Sequence, residues 1–238
     1  MNSKVAATLF AICCLTGADA VAQTCPVTPA TDALRQITQC LAGTDCRGRT
    51  VVERENLGPG CEREIEVWSW HGARTSVAIR DRKMCLTRRK NPPDARFIHG
   101  LILPMDAVCG VEDPRLYADA SPYRRLWRDA WEAALARIPE AAIVLVINPP
   151  TLRSQTQLHI HLLRTNGVDF PAGASVVVDS LDEVWAAAER VRRAKAWGQA
   201  RNYGIAVRKR GSAFDVLVEE GLPVNSRNPE DRYGIAED

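Results

Sequence analysis

Proline-containing breaks at Asn91-Pro92-Pro93, Pro104 and Asn148-Pro149-Pro150 cut the middle of the chain into short pieces. Proline lacks a backbone donor and fixes φ, so it ends inner strands and helices alike. Residues 97–103 (FIHGLIL) stop at Pro104, and residues 142–147 (AIVLVI) stop at Asn148. Apolar runs of that length are strands, not helices. Residues 64–70 (EIEVWSW) and 75–80 alternate apolar and polar, as antiparallel strands do. Residues 203–208 and 214–219 flank Arg210-Gly211-Ser212 and predict a hairpin. Helical spacing occurs elsewhere. Trp127, Trp131, Leu135 and Ile138 form an apolar stripe on a helix over 119–138, started by Ser121-Pro122 and read as core. A second principal helix is predicted over 181–197, and a short one over 31–41 with Thr31 as its cap. Residues 43–62 read as loop, and the polar tail from Pro223 is expected to be mobile. Together these elements predict an α+β domain: a mainly antiparallel sheet carrying helices, with a disulfide-rich N-terminal part.

The first 22 residues are a targeting segment, outside the single domain expected over 23–238. Lys4 precedes a short apolar run at 5–18 (VAATLFAICCLTGA), and small residues at Ala18, Ala20 and Ala22 fit a signal-peptidase site. Export with cleavage is favoured over a retained anchor, because a membrane span needs about 20 apolar residues. Cys13 and Cys14 leave with this segment. Cys25, Cys40, Cys46, Cys61, Cys85 and Cys109 remain, an even set without a paired CxxC, and disulfides are expected in an exported chain. The location is predicted as periplasmic or associated with the inner membrane. A net charge of +2 over 238 residues argues against nucleic acid as a partner.

The segment 153–163, RSQTQLHIHLL, carries the chemistry. On a strand, Gln155, Gln157, His159, His161 and Leu163 share one face, while Thr156, Leu158, Ile160 and Leu162 share the other. The apolar face packs on the core. The other is a row of hydrogen-bonding groups, expected to be open, and includes two of the four histidines. Three readings compete. The face is plain solvated surface, or His159 and His161 hold a metal, or a neutral imidazole attacks phosphorus while its neighbour handles a proton. The metal reading needs a third ligand and orienting carboxylates, and the strand's neighbours are glutamines.

Gln157-Leu-His159-Ile-His161-Leu162-Leu163 resembles the histidine-triad motif of alternating histidines and apolar residues, with Ser154 as the usual upstream hydroxyl. His99-Gly-Leu-Ile-Leu-Pro104 looks like that superfamily's upstream histidine strand. Asn148 sits where such proteins often carry a phosphate- or ribose-contacting Asn. Further features are similar to the bacterial CDP-diacylglycerol pyrophosphatases: Gly110-Val-Glu112-Asp-Pro114-Arg-Leu116, a tryptophan-bearing helix, and Tyr203-Gly-Ile-Ala206. The likeness covers roughly residues 32–220. It implies a HIT-like fold and hydrolysis of CDP-diacylglycerol to CMP and phosphatidate, with no cofactor and no metal. It makes His159 the nucleophile and His161 the residue that contacts the phosphate and helps the leaving group. Gln157 stands where the first triad histidine is usual, and a Gln can still donate and accept. Counting His159 as first instead would misplace Ser154. A membrane surface is the implied setting, and a homodimer is possible for such folds.

Arg153 flanks the strand and is a candidate for pyrophosphate, as is Arg164 at its other end. Ser154, Gln155, Gln157, Asn148 and His99 are candidate substrate contacts, His99 more as a supporting residue. His71 has no motif around it and reads as structural or solvent-facing, and Arg88-Arg89-Lys90 as a solvated turn that could meet an anionic membrane. Two other functions stay open: an exported metal protein built on His159 and His161, and a non-catalytic nucleotide or lipid-nucleotide binder with a degenerate triad.

Overall fold

The structure, a computed structural model, describes residues 33–43, 50–53, 61–85, 98–197, 201–221 and 229–236. The expected leader, Cys25 and Cys46, the basic stretch at 88–90 expected to be a turn, and the side chains of Cys61, Cys85 and His99 lie outside the described residues. The chain forms an α+β arrangement in which every described strand pairing is antiparallel.

Strands β1 (Thr50–Glu53), β2 (Cys61–His71), β3 (Ser76–Cys85), β4 (Ile98–Pro104), β5 (Ile143–Ile147), β6 (Ile160–Thr165), β7 (Ser175–Val178), β8 (Tyr203–Arg210) and β9 (Ala213–Glu220) join in the order β1-β2-β3-β4-β6-β5-β8-β9-β7. The short β10 (Gly234–Ala236) pairs with β6. The helices are α1 (Ala33–Ala42), α2 (Leu126–Leu135), α3 (Val184–Ala194) and α4 (Pro229–Tyr233). β6 holds the centre. One edge pairs with β5, while the other pairs with β4 through residues 160–162 and with β10 through 163–165.

Alternation along 158–163, the end of the approach and the start of β6, divides its residues as expected. Leu158, Ile160 and Leu162 are buried in the main core with Trp127, Trp131, Trp185 and Tyr203, under α2 and α3. Burial of such side chains contributes roughly 1.5–3 kcal/mol each. The opposite face is also covered, in two parts. Leu34 and Ile37 of α1 pack on Ile79, Leu101 and Leu103, and Tyr233 of α4 joins Phe170 on Val144, Val146 and Leu163. His161 lies between them, paired with Leu101 on one side and Val146 on the other. The histidine face was expected to be open. It is instead a seam between two caps.

Several boundaries differ from the sequence expectation, each for a local reason. The helix expected over 119–138 starts only at Leu126, because Ser121 Oγ accepts from the Tyr123 amide at 3.2 Å and Tyr123 turns inward. Its hydroxyl meets Asp106, and its carbonyl accepts from Trp185 Nε1 at 3.1 Å. Trp127, Trp131 and Ile138 are buried, but Leu135 is 44% exposed, since the helix ends there and Ala134 takes the inward position. The helix expected over 181–197 opens with a 3-10 turn at Leu181–Glu183 capped by Ser180 and ends at Ala194. The stretch 43–62 is not all loop, for it contains β1 and the start of β2. Within the tail expected to be mobile, 229–236 forms α4 and β10 against β6. The hairpin between β8 and β9 closes through Gly211 and Ser212, where Gly211 takes φ 61°, a conformation cheap only for glycine. Cys40 on α1 and Cys109 after β4 are each disulfide-bonded. No helix among the described residues is long and apolar enough to cross a membrane.

Candidate active site

The ladder of β6 begins at Ile160, so residues 153–159 reach it as irregular chain. That approach is fixed at two points. The Leu158 amide donates to Val108 O at 2.6 Å, and the Gln157 side chain is fully buried. Gln157 Nε2 donates to the carbonyls of Pro104 (3.1 Å) and Asp106 (2.9 Å), tying the approach to the end of β4. The Gln157 amide nitrogen is therefore spent on backbone, and the residue holds the loop in place.

Gln157 also sets the chemistry of the next residue on its face. Its carbonyl lies 2.8 Å from His159 Nδ1. A carbonyl only accepts, so Nδ1 carries the hydrogen and Nε2 keeps its lone pair. His159 is 8% exposed. Burial, then the neighbouring His161, pushes its pKa down from 6.5 to about 3, against the opposing pull of the Gln157 carbonyl and of Glu230. At neutral pH this ring is uncharged, with one tautomer favoured: the state a nitrogen nucleophile requires.

His161 follows on the same face, its ring 4.9 Å from that of His159 at 70°. Nδ1 lies 2.7 Å from Glu230 Oε2, and Nε2 lies 3.4 Å from Asn148 Nδ2. Asn148 Oδ1 in turn accepts from the Glu230 amide at 3.5 Å. The end of β5 and the start of α4 thus hold one imidazole from both sides. A carboxylate so placed orients the ring and offsets positive charge developing on it.

The other candidates divide. Arg153 is 7% exposed at its side chain and clasps Glu112, with Nη1 to Oε2 at 2.9 Å and Nη2 to Oε1. Gly110 makes room for it: a Cβ there would stand 1.8 Å from Arg153 Nη1. The Gly-x-Glu stretch is thus a cradle for this guanidinium, whose positive charge also reaches His159. Gln155 Oε1 accepts from the Leu34 amide at the start of α1, at 3.3 Å, and Ser154 is exposed. Arg164 falls on the opposite face of β6 from the histidines, one residue out of phase. Glu230 was missed in the sequence. Its signal was Asn228-Pro229-Glu230-Asp231, a proline at a helix start with acids in the first turn.

A cavity of about 620 Å³ lies away from the imidazoles, at the far end of β6, lined in part by Thr165, Phe170, Arg208 and Asp215. Its cations are engaged: Arg208 with Asp169, Lys209 with Glu140, and Arg210 with Asp215. The histidine seam, with its committed tautomer, is the better candidate for chemistry. Among the described residues, His159 and His161 are not part of any three-residue group with metal-binding spacing.

The fold is thus an antiparallel α+β arrangement in which a neutral, buried imidazole stands beside a second imidazole held near a carboxylate. Comparison gives the particular likeness: residues 82–166 match the family model of CDP-diacylglycerol pyrophosphatase. The matched stretch runs from β3 through β6 and holds Glu112, Asn148, Arg153, Gln157, His159 and His161. A CDP-diacylglycerol pyrophosphatase of Mycobacterium tuberculosis (strain ATCC 25177 / H37Ra) is 42% identical over 69 residues, 26% of this chain and 26% of that protein. A probable CDP-diacylglycerol pyrophosphatase of Mycobacterium leprae (strain TN) is 44% identical over 69 residues, 26% of this chain and 25% of that protein. The alignments span about a quarter of the length of these curated relatives.

Proposed function

We propose that the protein hydrolyses the pyrophosphate bond of CDP-diacylglycerol, releasing CMP and phosphatidate through a nucleotidyl-His159 intermediate. The single observation that carries the mechanism is the 2.8 Å contact from His159 Nδ1 to the Gln157 carbonyl, which leaves Nε2 with its lone pair. The substrate rests on the family match over 82–166.

In the first step Nε2 attacks the cytidylyl phosphorus. A P–N bond forms, the P–O bond to phosphatidate breaks, and its electrons leave with the phosphatidate oxygen. Nδ1 keeps its hydrogen throughout, so the ring becomes cationic while bonded to the Gln157 carbonyl. In the second step water attacks phosphorus, the P–N bond breaks, and the lone pair returns to Nε2. The proton needed by the leaving oxygen, and later lost by the water, passes through His161, steadied by Glu230. No divalent ion is drawn into either step. The apolar run and small residues at 5–22, read as a targeting segment, and the disulfide-bonded Cys40 and Cys109 support an exported enzyme acting at a membrane surface, where such a lipid resides.

The test is mass spectrometry of enzyme quenched during turnover, searched for a cytidylyl adduct. An adduct on His159, with hydrolysis lost in His159→Ala, is the expected result. Full activity in His159→Ala refutes the mechanism.

A further inference from the structure

On the face opposite the histidines, where β2 ends against α2, three side chains come together without a role in the reaction above. His71, Asp129 and Glu132 each bring one ligand atom to within 4.8 Å of the other two. Asp129 and Glu132 are three residues apart on α2, so they share one side of the helix. His71 is the last residue of β2. After it the chain turns through Gly72, Ala73 and Arg74, all at positive φ, and this turn folds back over Asp129.

Two details suit this cluster to a cation. First, Asp129 is 3% exposed, and among the described residues its side chain accepts a hydrogen bond from Ser76 Oγ to Oδ2 at 2.9 Å, while Oδ1 is buried without a partner. Among the described residues no Lys or Arg pairs with it. A buried carboxylate lacking both a counter-charge and a full set of donors is costly. Second, His71 is set up as a ligand. Nε2 lies 2.7 Å from Ser69 Oγ, a partner that can take its hydrogen and leave Nδ1 as a lone pair facing Glu132 Oε2, 3.8 Å away. Ligands about 2.1 Å from a tetrahedral ion stand about 3.4 Å apart. The cluster reaches that spacing by a small inward move, which Glu132, with its side chain 52% exposed, is free to make.

We propose that His71, Asp129 and Glu132 form a binding site for a divalent zinc-class ion that fastens the turn after β2 to α2. One imidazole and two carboxylates suit a first-row transition ion better than magnesium or calcium, which take oxygen ligands. The arrangement leaves a fourth position for solvent. The role is structural, since α2 packs on the far side of the sheet from His159.

The experiment uses the full, tag-free, disulfide-intact protein, stripped with chelator and titrated with Zn²⁺ alone. The expected result is one equivalent bound and a rise in Tm on binding. His71→Ala and Glu132→Gln should each weaken binding at least tenfold and abolish the Tm rise. Glu132 lies at the surface, so that variant folds even if His71→Ala does not. A His159→Ala/His161→Ala double variant should keep the zinc. The proposal is overturned if the wild type binds no stoichiometric zinc, if Glu132→Gln loses less than tenfold, or if the zinc departs with the His159/His161 pair.

Discussion

Replacing His159 by Asn tests the electrostatic state of the site without any substrate. The Asn amide keeps a donor near the place of Nδ1, so the link to the Gln157 carbonyl is retained, and only the titratable ring is lost. In the folded protein the ring takes a proton only near pH 3, whereas the unfolded chain takes it near 6.5. Between those values the unfolded state binds more protons, so the stability this residue contributes is complete above about pH 6.5 and is lost as pH falls toward 3. With about 1.4 kcal/mol per pKa unit, the wild type should lose about 2.5 kcal/mol more than His159→Asn on going from pH 7 to pH 4.5. That figure barely changes if the folded value is 4 instead of 3, because pH 4.5 lies above both. Urea unfolding of both proteins at the two pH values gives the difference directly, and the carboxylates common to both cancel. Equal losses in the two proteins would mean that the ring is not held neutral, and the nucleophile argument would go with it.

Other outcomes follow from the same geometry. If the proposed activity holds, Glu230→Gln should lower kcat by about 10- to 100-fold on CDP-diacylglycerol with little change in KM, because it removes the charge 2.7 Å from His161 Nδ1 while keeping the side chain's shape. Gly110→Ala drives a methyl group into Arg153 Nη1, 1.8 Å away, and should cost about 2–4 kcal/mol in denaturant unfolding by parting Arg153 from Glu112. Gln157→His should fold but lose about 1–2 kcal/mol, since a neutral ring has one N–H for the two carbonyls that Gln157 Nε2 now serves. Trp127→Ala, at a fully buried position, should cost about 3–5 kcal/mol in the same assay.

The parts legible in the sequence were those governed by local periodicity. Two-residue alternation sorted Leu158, Ile160 and Leu162 from His159 and His161, and helical spacing placed Trp127 and Trp131 inward. Proline marked the end of β4 and, with Asn148, the end of β5. What escaped depends on contacts distant in sequence. Nothing in 153–163 says that α1, more than a hundred residues earlier, reaches Gln155, or that residues 229–236 return to cover His161. The same gap hid the use of Arg153: its spacing suited a phosphate, but its charge is held by Glu112 across the fold. The segment 50–53 was missed because its pattern is too short to outweigh its Gly- and Pro-rich surroundings. It becomes a strand only because β2 offers an edge.

The pairing of β10 with β6 also sets the order in which the site can come into being. A chain emerging from its N-terminus supplies β6, with His161, and the preceding His159 long before it supplies Glu230 or covers residues 163–165. Until then the second imidazole lacks its acid, and the half-formed edge invites non-native strand pairing. On the proposed mechanism, competence would arrive as a late event in biogenesis, so a nonsense change ahead of residue 229 should yield a silent, association-prone product even though both histidines are intact.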